Sequence, residues 1–155
     1  MARVLVLACG NPLRGDDGVG WRIAEAFQRA HPTSDVEIIT APQLTPEMAE
    51  RVSGAKTVVF VDASATEPPG SVSSKPVEAA PAVPSSLTHS LEPTALLAMV
   101  HSLYGRAPRR AFALAVGGAS FALGEELSEP VRRAVPQAVR KIGALLAPAA
   151  KPKSR

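Results

Sequence analysis

The stretch "RVLVLAC" (3–9) is a continuous apolar run of strand length, followed by "GNPLRGDDG" and then by "VGWRIAEAFQRAH". In that third segment Val19, Ile23, Ala26, Phe27 and Ala30 share one helical stripe. A buried strand, a glycine-rich turn and an amphipathic helix in this order open a β-turn-α unit. Such an opening restricts everything after it. A strand apolar on both faces needs cover above and below, so further strands should alternate with further helices.

The chain continues in that way. "DVEIITA" (35–41) reads as a second strand, "LTPEMAERVSGA" as a short helix with Thr45 as N-cap and Pro46 at its first position, and "KTVVFVDAS" as a third, fully buried strand. Residues 66–86 are rich in Pro, Ser and Ala and are expected to be largely loop, with Val72–Val77 as a short edge strand. Helical spacing resumes at Pro93, with Leu96, Leu97, Val100 and Leu103 inward, and "RAFALAVGG" (110–118) supplies another buried strand. The last helix starts near Ser128; its stripe of Val131, Val135, Val139, Ile142 and Leu146 runs through Pro136, which is expected to kink it. The expected fold is α/β: a three-layer sandwich with a twisted, mostly parallel sheet of about five strands and helices on both faces. With 46% hydrophobic residues in 155 and few aromatics, one domain packed by small aliphatic side chains is expected over residues 1–147. The tail 148–155 has the composition of a frayed terminus.

Charge and cysteine content narrow the partners. Residues 1–105 carry 7 basic and 11 acidic side chains, and residues 106–155 carry 10 and 3, a net −4 against +7. No aromatic platform or helix-turn-helix pattern accompanies the basic half, so it reads as a solvated helical face, and no nucleic-acid partner is expected. The lone Cys9 forbids an internal disulfide, and the chain shows no signal peptide and no apolar run long enough to span a membrane. A cytoplasmic protein with no membrane partner, and a monomer, is expected.

In doubly wound sheets the site lies beyond the carboxyl ends of the strands. Gly10 to Gly15 has phosphate-loop spacing, but Asp16 and Asp17 stand where Lys and Ser or Thr would be, so the turn would repel a phosphate. One aspartate can cap the first helix; the other is left to project into the cleft. Asp62 ends "VVFVD" at the edge of a central strand, near the first turn if strands one and three are neighbours. His31 ends a helix and His101 lies within one, whereas His89 sits in the polar loop "SSLTHSLEP". Asp17, Asp62 and His89 would bring two carboxylates and an imidazole together from three segments, a set suited to a divalent transition metal with positions left open. There is no H-E-x-x-H and no G-x-S-x-G, and Cys9 lies in a strand of small apolar residues, where it reads as core.

"LACGNPLRGDDGVG", "VVFVDAS", the His of "LTHSLEP" and the final "LSEPVRRAVPQAV" together resemble the nickel-iron hydrogenase maturation endopeptidases. "QLTPEMAE" resembles a subset of them, and the likeness spans most of residues 3–147. It departs at Ala8, where the family usually has Gly, and at "APQL", where members often have a Gly-rich stretch. The resemblance implies the same three-layer sandwich and an endopeptidase that removes the C-terminal extension of a hydrogenase large-subunit precursor after nickel insertion. It further implies that Asp17, Asp62 and His89 bind nickel, that of the precursor, with zinc or cadmium as other ions the site would accept. Asp17 or Asp62 could also act as general base, in a metal-dependent or an acid-dyad reaction. The competing readings are a non-catalytic nickel-binding maturation chaperone and an anion- or nucleotide-binding domain using the basic half.

Overall fold

In the computed structural model, which describes residues 3–83, 91–124 and 126–147, strands and helices alternate except that the strand Thr57–Ser64 is followed by a second strand, Val72–Pro76. The elements are β1 (Val4–Cys9), α1 (Val19–Ala30), β2 (Val36–Ala41), α2 (Ala49–Gly54), β3 (Thr57–Ser64), β4 (Val72–Pro76), α3 (Pro93–Tyr104), β5 (Arg110–Gly117) and α4 (Glu129–Leu146). Short 3₁₀ turns, Gly15–Gly18 and Pro46–Met48, lead into α1 and α2. Thr45 and Pro46 take the cap and first positions expected of them.

The strands lie in the order β2-β1-β3-β5-β4. β1 pairs in parallel with β2 and β3, β3 with β5, and β4 closes the far edge antiparallel to β5. This is the five-strand, mostly parallel α/β sandwich expected. The pleat sends alternate residues to opposite faces. Val6, Ala8, Val59 and Val61 pack under α1 and α4, with Ile23, Phe27, Val131 and Ile142. Leu5, Leu7, Val58 and Phe60 pack under α2 and α3, with Val52, Leu96 and Val100. Each of the fully buried Val, Leu, Ile and Phe side chains among them contributes about 1.5–3 kcal/mol over leaving it in water.

Two details depart from the sequence reading. Leu103 is 63% exposed, not inward. Burial on α3 stops at Val100 and the whole last turn, residues 101–104, is exposed; a stripe records which side of a helix is apolar, not how far its cover extends. On α1, Ala30 is exposed while Ala24 is buried. α4 runs without interruption through the exposed Pro136. Its outer face carries Arg132, Arg133, Arg140 and Lys141, all exposed, and the first two pair with Glu129. The part of the basic excess that lies on α4 is thus a solvated helical face, whereas Arg106 and Arg109 lie between α3 and β5 and Arg110 begins β5. No described helix is long and apolar enough to cross a membrane.

Candidate functional site

β1 sits between β2 and β3; the connection leaving β1 leads to α1 on one face, whereas the chain leaving β3 passes through the edge strand β4 before reaching α3 on the other face. A crevice opens where the connections part, at the carboxyl ends of the two strands. It holds a cavity of about 400 Å³, with Asp17 and Asp62 on its wall and Leu7, Phe60, Leu44 and Leu91 forming much of the rest. Glu92, which residue-type reasoning did not single out, also lines it. It is the N-cap residue of α3.

The turn after β1 is built to hold Asp17. Gly10 has φ 133°, and a Cβ there would lie 2.0 Å from the Asp17 carbonyl oxygen, so no other residue type fits. The Asn11 N–H donates to Asp17 Oδ2 at 2.8 Å, and the Leu13 N–H donates to Asn11 Oδ1 at 2.9 Å, which fixes the bend.

Asp62 continues the stripe of Val58 and Phe60 one step beyond the buried part of β3, so it reaches the cavity where the strand emerges from its layer. Its Oδ1 accepts the Ala63 N–H at 2.7 Å. Desolvation pushes its pKa up to about 6; the Ala63 N–H works against the rise, and the negative charge of Asp17 adds to it. The two carboxylates therefore share one electrostatic environment. Two anionic oxygen donors from separate segments, with the charge of Asp17 disfavouring that of Asp62, form a set that a divalent cation would neutralise, so these residues fit such an ion.

Asp16 has a different task from the one expected. The N-cap of α1 is Gly18, and no side chain caps the helix. Asp16 is 0% exposed and reaches across to the chain before α4. Ser128 donates to it twice, from its N–H to Oδ1 and from its hydroxyl to Oδ2, both at 2.7 Å. The N–H groups of Ala119 and Ser120 donate to Oδ2 at 2.7 and 3.0 Å. Burial alone would raise this carboxyl; the donors from Ser128, Ala119 and Ser120 outweigh it and hold the pKa below the usual carboxylate value. Adjacent aspartates thus divide between anchoring the turn and facing the cleft.

Of the other candidates, His31 stacks on Phe27 and its Nδ1 lies 3.2 Å from the Phe27 carbonyl oxygen, and His101 is exposed in the last turn of α3. Cys9 lines the cavity, but burial, aided by the charge of Asp62, pushes its thiol up to about 12, so it stays protonated and unreactive. His89 lies outside the described residues, as does the tail 148–155. Among the described residues no group of three or more His, Cys, Asp or Glu side chains forms a cation cage.

A family model described as HycI, hydrogenase maturation protease, matches residues 21–144, and so opens just after the Asp16–Asp17 turn. No curated protein matches the chain. Among solved structures the chain is similar to the hydrogenase maturating endopeptidase HybD from E. coli, with 25% identity over 93% of this chain and 91% of that one and a TM-score of 0.71. It is also similar to a hydrogenase 2 maturation peptidase from a Thaumarchaeota archaeon, with 27% identity over 93% and 97% of the two chains and a TM-score of 0.69. The maturation protease HybD from Thermococcus kodakarensis, at 24% identity over 94% and 99% with a TM-score of 0.66, shares the fold.

Proposed function

The chain belongs to the hydrogenase maturation protease family, and from that premise we propose that it removes the C-terminal extension of a hydrogenase large-subunit precursor once nickel is seated, with Asp17, Asp62 and His89 reading the metal. The family makes it a peptidase, which sets aside the non-catalytic chaperone. The observation that carries the finer reading is the meeting of Asp17 and Asp62 in one cleft, with the charge of one helping to hold the other's pKa near 6. A cation presented by the precursor relieves that repulsion, whereas a precursor without metal meets a cleft of uncompensated negative charge. Recognition of the filled hydrogenase site then follows from electrostatics. Zinc or cadmium would satisfy the same oxygen donors.

Asp62 is also the better placed proton acceptor, because a base titrating near 6 is largely ionised at neutral pH and still basic enough to take a proton. It accepts one from a water; the oxygen attacks the scissile carbonyl, the C–N bond breaks, and the proton passes to the departing amine. The precursor's nickel, when bound, would supply Lewis-acid chemistry to the reaction. Asp17, whose Oδ2 accepts the Asn11 N–H, would be one of the residues that hold that cation.

The test is mass measurement of a nickel-loaded precursor incubated with Asp17→Ala, Asp62→Ala and His89→Ala. Each variant is expected to stay folded and to process at least about a hundredfold more slowly, the range lost with a general base. Normal processing by all three would overturn the proposal.

A further inference from the structure

Charged side chains also gather at the opposite end of the sheet from Asp17 and Asp62, where the parallel strands begin. Val4, Thr57 and Arg110 stand level in the register of β1, β3 and β5, so the residues just before them, Arg3, Lys56 and Arg109, stand level too. Backbone bonds fix that row. The Arg3 carbonyl accepts the Lys56 and Thr57 N–H groups at 2.9 and 3.0 Å, and the Lys56 carbonyl accepts the Arg109 N–H at 2.8 Å. Neighbouring strands lie about 4.8 Å apart, so three cationic residues are rooted side by side at that spacing.

Together with Arg110 they line a cavity of about 460 Å³ whose wall holds one carboxylate, that of Asp35. Arg110 is already positioned: its Nη1 and Nη2 donate to the Ala147 and Leu146 carbonyls at 3.3 and 3.4 Å, and its guanidinium lies 5.8 Å from the centre of the Phe112 ring. Arg51 pairs with Glu37, and Arg132 and Arg133 pair with Glu129; among the described residues no carboxylate, Asp35 included, pairs with any of these four. Four positive side chains against one negative leave three charges uncompensated in one concave site. Such a site concentrates positive potential and draws in an anion.

We infer that this cavity binds a diphosphate group, free or carried on a nucleoside. Guanidinium groups offer forked N–H donors that match phosphate oxygens, and the lysine adds a point charge. A single phosphate carries about −1.5 to −2 charges near neutral pH and would leave the site positive, whereas two linked phosphates match it. The volume falls within the range of small-molecule sites, about 300–1,000 Å³. No aromatic ring is among the described residues lining the cavity, so the phosphates carry the recognition and a base adds no stacking.

Calorimetric titration of the full chain with inorganic diphosphate and with ADP, in metal-free buffer of low ionic strength, tests this. Both ligands are expected to bind with similar affinity, weakening as salt is added. Lys56→Gln/Arg109→Gln is expected to lose affinity on the order of tenfold or more, and Asp35→Asn to gain it. These three side chains are exposed and the strand bonds of this row are made by the backbone, so the variants are expected to keep the fold, which circular dichroism checks. Arg132→Gln/Arg133→Gln, on the solvated face of α4, is expected to bind as the wild type does. An absence of diphosphate binding to the wild type, binding of ADP alone, or an equal loss in the α4 variant would overturn the site.

Discussion

Asp62 keeps its proton to near pH 6 because it is desolvated and faces Asp17, so a cation entering the cleft competes with that proton. The apparent affinity for Ni²⁺ or Zn²⁺ is expected to fall on acidification below about 6 and to level off above it. Calorimetric titration of the metal alone, from about pH 5 to about pH 8, checks this; an affinity indifferent to pH would separate Asp62 from the ion. Cys9, in the same cavity, gains nothing from such pH changes, since its thiol titrates only at about 12. Within one cavity, desolvation therefore leaves the thiol inert and gives the carboxyl a pKa suited to proton transfer near neutrality.

At the level of elements, Asp16 joins the turn after β1 to the segment that starts α4. Because its folded pKa is depressed, the stability it contributes is present above the unfolded value of 3.8 and is lost as pH falls through the lower folded value. Asp16→Asn is expected to lower stability at neutral pH by about 1–3 kcal/mol, the range for losing hydrogen bonds to a buried charge, and to flatten this acid dependence. Urea unfolding at neutral and acidic pH measures both. None of this was legible in the sequence, since the partners of Asp16 lie 103 to 112 residues away. By contrast β1, β3 and β5 announce themselves, because strands covered on both faces read as unbroken apolar runs. β4, "VSSKP" on an antiparallel edge, carries only a faint pattern, as half-solvated strands do. That Asp17 and Asp62 share one cavity was legible for a topological reason: one lies in the turn after β1 and the other near the carboxyl end of β3, which the fold class sends to one crevice. The parallel bridge of Arg14 with Gly124 joins two loops, a pairing that no local periodicity encodes.

Across the whole molecule, the pairing of β1 with β3 brings Asp17 and Asp62 together from segments separated by an entire helix-strand-helix excursion. The two charges are apart in the unfolded chain and close in the folded one. Since the folded pKa of Asp62 is raised from 3.8 to about 6, the native state holds the extra proton between those values; stability falls as pH rises through that window, and the deficit is complete above it. Asp62→Asn, which cannot ionise, is expected to melt above the parent at neutral and alkaline pH, with the gap closing under acid conditions below about 3.8. Scanning calorimetry at the two extremes decides it, and identical melting temperatures throughout would mean the charge is fully screened. The cleft is thus a point of local frustration, retained against the interests of the fold. A laboratory screen for heat resistance alone should enrich Asp62→Asn, yielding sturdier proteins that have surrendered the charge to which we assign metal recognition.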